Sequence, residues 1–334
     1  MSQDGLLHLP ARRVWHGTDL RGFLKSPKNA GLEWTRSYPQ GSPLGGATNI
    51  GPIGYGGGVL IMINGGTTNT TVYRSTDAGR SWAAIALDTT AEHKSITTDG
   101  QGRWLITCGN NGSTSTYFTS TDNGLTWQTR TQPSGAFFWY GSGYSNGWFY
   151  MGAFSSATVN RSQDMVNWQT SALATTTNSR RFVGDGNGNV VCTGDASAIV
   201  QVSNDDGRTW RNGATTQASF VAPIYVNGKL FQLFYNGSNQ LSPLWVSDNM
   251  GLTFRNITFP LAALWVHIAH SNGVFIATAN TSTTYAISDD GLDWKVPAGK
   301  TMPVSGYNYV APTDGGFAGN VIGVANGESF AELH

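Results

Sequence analysis

The sequence predicts an all-β protein, a seven-bladed β-propeller of four-stranded antiparallel blades. Three observations lead there. A short string ending in an aromatic residue recurs along the chain. A second set of Gly-centred turns recurs out of phase with it. The runs between them are rich in Val, Ile, Phe and Tyr and show no helical period.

In chain order the strings are STDAGRSW ending at Trp82, STDNGLTW at Trp127, SQDMVNW at Trp168, SNDDGRTW at Trp210, SDNMGLTF at Phe254 and SDDGLDW at Trp294. A degraded copy, PKNAGLEW, ends at Trp34, and successive aromatics lie 40 to 48 residues apart. The second set is Tyr55-Gly56, Asp99-Gly100, Asn146-Gly147, Asn187-Gly188, Asn227-Gly228, Asn272-Gly273 and Asp314-Gly315. Such dipeptides supply the positive φ angles of tight hairpins. Each unit therefore reads as strand A, Gly turn, strand B, loop, strand C, Asp-containing turn, strand D. That is one propeller blade.

The ends fit a closed ring. The first repeated feature, at Trp34, has no hairpin before it. The last, at Asp314, is a hairpin with no Trp after it. The N- and C-terminal strands are thus expected to share one blade, which leaves no free sheet edge. Residues 20–334 form the propeller. Residues 1–19 are an arm onto another protein or an ordinary outer strand.

Composition narrows the function. Lys plus Arg and Asp plus Glu are both 20, and charged residues make up only 12% of the chain, while Gly reaches 43. No basic face for nucleic acid is indicated, and no window approaches a membrane span. The surface is expected to be Ser, Thr, Asn and Gly, and no signal peptide is read at the start. Cys108 and Cys192 lie in apolar strand-like runs, which points to buried free thiols rather than a disulfide. The six histidines are scattered, so no metal and no cofactor is expected.

The strings resemble the Asp box, or BNR repeat, of sialidase-like propellers. The resemblance implies that Asp77, Asp122, Asp164, Asp205 and Asp290 brace turns between strands C and D, on the face away from any ligand. It implies also that Trp82, Trp127, Trp168, Trp210 and Trp294 plug the gaps between blades. A carboxylate repeated around a ring is no acid–base pair, since its copies lie a blade apart. The sialidase chemistry itself is not matched. The family's Phe/Tyr-Arg-Ile-Pro string is missing, and the four glutamates (Glu33, Glu92, Glu328 and Glu332) leave only Glu92 near a plausible ligand face. The chain is therefore read as a non-catalytic member.

Ligand contacts are expected on the opposite face. Aligning units on the Gly turn puts Thr48, Glu92, Trp139, Arg180, Phe220, Trp265 and Tyr307 in one row. The next row is Asn49, His93, Tyr140, Arg181, Val221, Val266 and Asn308. The first row, rich in aromatics, suits sugar stacking; packing between blades is the competing reading of its aromatics. The composition, with no signal peptide and free cysteines, looks like a phage virion protein (tail, fibre or decoration) assembled in the host cytoplasm. Its expected partners are other virion proteins and host surface glycan, with oligomerisation through virion symmetry. The alternatives are a cellular carbohydrate-binding or assembly-scaffold propeller and a divergent glycosidase.

Overall fold

The computed structural model describes residues 33–36, 50–64, 68–109, 116–133, 138–217, 223–234, 243–280, 282–302, 307–314, 316–321 and 329–332. Every regular element among them is a β-strand. The strands sort into seven meanders that match the units read from the sequence. Six follow chain order, with inner strands at Ile50–Gly56, His93–Thr98, Trp139–Ser145, Ser179–Gly184, Ile224–Val226 and Trp265–Ser271. The seventh starts at Tyr307–Thr313, and its fourth strand is Glu33–Arg36 from the other end of the chain. Glu33 pairs with Glu332 and Arg36 with Ser329, antiparallel. The closure expected from the two ends is therefore present.

Each inner strand lies against the next, and Tyr307–Thr313 returns to Ile50–Gly56, so the ring shuts. The apolar core divides accordingly into clusters between neighbouring blades. Trp127 packs with Ile61 and Trp104 between blades 1 and 2. Trp168 sits with Leu105 and Phe149 between blades 2 and 3. Trp210 joins Tyr150 between blades 3 and 4, Phe254 joins Val191 and Leu230 between 4 and 5, and Trp294 joins Phe231 between 5 and 6. Val310 and Phe317 meet Tyr285 between 6 and 7. Trp82 meets Ala311 and Ala318 between 7 and 1. The turn aromatics Trp82, Trp127, Trp168, Trp210, Phe254 and Trp294 thus each plug the seam with the preceding blade, burying the large apolar area that holds two sheets together.

The turns that carry these aromatics share one bonding pattern. In blade 4 the Ser203 hydroxyl donates to Asp205 Oδ1 at 2.8 Å and accepts from Gly207 N at 2.8 Å. Asp205 also accepts from Thr209 N at 2.9 Å and Thr209 Oγ1 at 2.7 Å. Asp77 and Asp122 repeat this with Ser81 and Thr126. In the one-residue-shorter turns, Asp164 and Asp290 accept from two successive backbone N–H groups. Blade 5 has Asn249 instead. Its Oδ1 accepts from Thr253 N at 2.9 Å, and its amide donates to the Thr253 hydroxyl at 2.9 Å. An amide closes the same turn by reversing one hydrogen bond.

Two departures from regularity have local causes. Blade 6 has three strands, and its fourth is reduced to one bridge, Ile287 with Lys295. Pro297 follows two residues later, and a residue without N–H cannot extend a ladder. Blades 3 and 4 merge into one eight-stranded sheet through the pair Ser142–Arg181. Gly143 allows that approach, since a Cβ there would lie 2.1 Å from the Phe182 carbonyl oxygen.

Candidate ligand-binding rim

The Asp turns and the A–B hairpins lie on one face and are bonded to each other. Asn123 donates to Gly57 O at 3.0 Å, and Asn146 donates to Asp206 Oδ1 at 2.9 Å. The opposite rim is formed where strand D of one blade runs into strand A of the next. At the junction of blades 1 and 2 that connection is the single residue Glu92, between Ala83–Ala91 and His93–Thr98. Its carbonyl accepts from Gly109 N at 3.0 Å.

Pairing corrects the first sequence row. Trp139 pairs with Ala153 and Trp265 with Ala279, and the equivalent pairs are His93 with Cys108 and Ser179 with Gly194. Glu92 and Arg180 are therefore each one residue out of line with Trp139 and Trp265. The cause is hairpin length. Blades 3 and 6 turn in two residues, with Asn146 and Asn272 at φ near +50°, followed by Gly. Blades 2 and 4 use longer loops, where Asp99 and Asp185 pair with Arg103 and Asn189 before the chain turns. An alignment on glycine slips by one there.

The true row is a packing row. Trp139 is 0% exposed and Trp265 1% exposed, so neither presents a face to a ligand. Trp139 packs with Phe149 and Met151. Trp265 stacks on Phe259 at 4.5 Å and gives its N–H to Leu261 O at 3.3 Å. A cavity of about 330 Å³ opens beside it, lined by Pro243, Phe259 and Leu261 among others. Tyr307 shares this row by pairing. The side chains of Arg180 and Tyr307, and residues Thr48 and Phe220, lie outside the described residues. So do residues 1–19.

At the next position the Lys94 and Tyr140 side chains are partly open, whereas Val266 is buried. In five inner strands the register slips there by one residue, at Lys94, Tyr140, Arg180, Val266 and Asn308. Such bulges turn a side chain away from the regular alternation. Sequence reasoning had Tyr140 in its second row and missed Lys94; counting from strand pairs rather than from glycines would have found it. The two meet between blades 2 and 3, with the Lys94 ammonium 4.9 Å from the Tyr140 ring centre. Lys94 is also ion-paired to Glu92, the two side chains being 14% and 21% exposed. Phe154 lies 5.1 Å from Tyr140, and Phe138 lies 6.1 Å from Phe154. All three rings keep part of their surface open. Among the described residues of the expected row, Glu92 belongs to this cluster.

Below the bulges, the channel is polar. Arg181 donates to the Ser95 hydroxyl, and Ser95 bonds Ser142 at 2.6 Å. From the far side His267 faces Tyr309, rings 6.1 Å apart. Burial, reinforced by the Arg181 charge, pushes the His267 imidazole down to about 3. His93, edge-on to Phe118 with both ring nitrogens unpartnered, is pushed down to about 4 by burial. Both are neutral at pH 7, so Arg181 is the fixed positive charge among these channel residues. Among the described residues no group of three His, Cys, Asp or Glu is placed to hold a metal.

No family model and no curated sequence matches the chain. Solved structures do. A catalytically inactive virginiamycin B lyase from Staphylococcus aureus, solved with quinupristin, aligns at TM-score 0.71 and 12% identity, covering 91% of this chain and 100% of that one. YCF48 bound to D1 peptide aligns at 0.65 and 13%, covering 91% and 95%. The GH74 xyloglucanase from Xanthomonas campestris aligns at 0.61 and 12%, covering 91% of this chain and 52% of that one. At such identity the likeness shows a propeller fold and no shared activity.

Proposed function

We propose that this chain is a non-enzymatic recognition propeller that holds a glycan on the rim between blades 2 and 3. In that role it serves as a phage virion component docking on a cell surface. The observation that carries the reading is the cluster of Phe138, Tyr140 and Phe154 beside the Lys94–Glu92 pair. Partly open aromatic rings offer flat apolar faces to sugar C–H groups, and a neighbouring ion pair offers donors and acceptors to hydroxyls. The Asp turns brace the other face. Propellers of this shape serve both a xyloglucanase and a peptide-binding protein, so the scaffold suits polymeric ligands. The neutral, weakly charged composition and two buried free thiols support assembly inside a reducing host cytoplasm.

The test is binding of the purified chain to a glycan array, alongside Tyr140→Ala and Phe154→Ala. Retention on specific sugars, weakened at least about fivefold by each change without sugar turnover, supports the reading. Turnover of a bound glycoside would replace it with the glycosidase alternative. Binding unaffected by both changes would remove this rim from consideration.

A further inference from the structure

The geometry points to an uncharged sugar as the ligand of this rim, an inference that rests on the glycan reading above. An acidic sugar, carrying a carboxylate or sulfate, needs a cation whose charge is available to it. The cation of this cluster is Lys94, and its charge is already answered by Glu92 two residues earlier on the same chain. The backbone places the pair at the seam of blades 1, 2 and 3. Glu92 is the whole connection between two strands, with its carbonyl bonded to Gly109 N at 3.0 Å. Lys94 is the bulge residue of its strand, placed 4.9 Å from the Tyr140 ring centre. Both side chains are largely covered, so solvent and salt screen the pair less than an exposed one.

A ligand carboxylate entering here would meet Glu92 at close quarters. Like charges in a partly desolvated setting disfavour each other strongly. A neutral pyranose meets no such conflict. Its C–H face lies on Tyr140 or Phe154, and its hydroxyls bond the lone pairs and protons that the ion pair leaves unused. The other described cation near the axis, Arg181, lies deeper and donates to Ser95.

The experiment is calorimetric titration of the full chain with matched probes, lactose against 3′-sialyllactose and oligogalactose against oligogalacturonate, at 20 and 300 mM NaCl. The expected result is binding of a neutral probe with less than about twofold change in Kd across the salt range. Its acidic counterpart should bind at least about tenfold more weakly. Glu92→Gln should narrow that gap severalfold at 20 mM salt by releasing the Lys94 charge, and adding Lys94→Gln should widen it again, because no cation then answers the acidic probe. An acidic probe that binds as tightly as the neutral one, with steep salt dependence, overturns the inference and leaves glycan binding standing. A gap unmoved by Glu92→Gln also overturns it. If neither class of probe binds, the glycan reading itself fails, and the inference fails with it.

Discussion

Replacing Asp205 by alanine removes the centre of one repeated turn while leaving its Trp in place. Three hydrogen bonds go with it, from Ser203 Oγ at 2.8 Å, Thr209 N at 2.9 Å and Thr209 Oγ1 at 2.7 Å. Hydrogen bonds to a charged acceptor contribute about 1.5–3 kcal/mol when buried. This turn is wet on one side, and water takes over part of the bonding. The expected total loss is therefore about 1–2 kcal/mol, measured as the change in free energy of urea unfolding. Asp205→Asn is the sharper half of the experiment. Blade 5 already closes the same turn with Asn249, so the amide should cost less than about 0.5 kcal/mol. The pH dependence has a definite sign. Burial alone would raise the Asp205 carboxyl, but the bonds from Thr209 and Ser203 outweigh it, and the net direction is down. A depressed carboxyl contributes stability above its unfolded pKa of about 3.9 and loses it as pH falls through the folded value. The gap between wild type and Asp205→Ala should thus be full at pH 7 and shrink below about pH 4. A gap that does not narrow at all between pH 7 and pH 2, or an Asn variant as damaged as the Ala variant, would refute the bonding account.

The remaining expectations are briefer. Deleting residues 20–38 removes the strand that completes blade 7, so it should cost several times more stability than loss of one turn; a truncated chain that melts like the full one would contradict ring closure. Gly143→Ala should destabilise by roughly 2 kcal/mol or more, because its Cβ would meet backbone at 2.1 Å, and an unfolding midpoint equal to wild type would argue against the merged sheet. His93 and His267 have folded values of about 4 and about 3, below the unfolded value of about 6.5. The unfolded chain therefore binds these protons first, and stability should fall as pH drops from about 6.5 toward 4. His93→Leu should flatten that fall, and an unchanged slope would place the acid sensitivity elsewhere.

How much of this was legible in the sequence varies with physical cause. The blade framework was readable because it repeats: Ser203, Asp205, Gly207 and Trp210 each have counterparts around the ring, and the chain ends pair as their missing halves implied. The rim was only half readable. Trp139 drew attention as an aromatic, yet the position it shares with Trp265 faces the preceding blade, where size is needed for packing. A Gly turn fixes register only if hairpin lengths match, and the loops at Asp99 and Asp185 are longer than those at Asn146 and Asn272. That one-residue difference hid Lys94. No composition or period announces a bulge, since it appears only when both strands of a hairpin are seen together.

The central claim is that ligand binds the rim and not the face of the Asp turns. It can be tested by blocking each face in turn with a bulky maleimide polymer. Ser155→Cys places a thiol at an exposed position beside Phe154, and Leu125→Cys places one on the turn face at a residue 54% exposed. The native Cys108 and Cys192 are fully buried, and burial raises both thiols, Cys192 to about 12, so the label goes to the introduced site. With the glycan that the array identifies, labelling at position 155 should abolish binding and labelling at position 125 should leave it unchanged. Binding that survives the first label and is lost with the second would contradict the account.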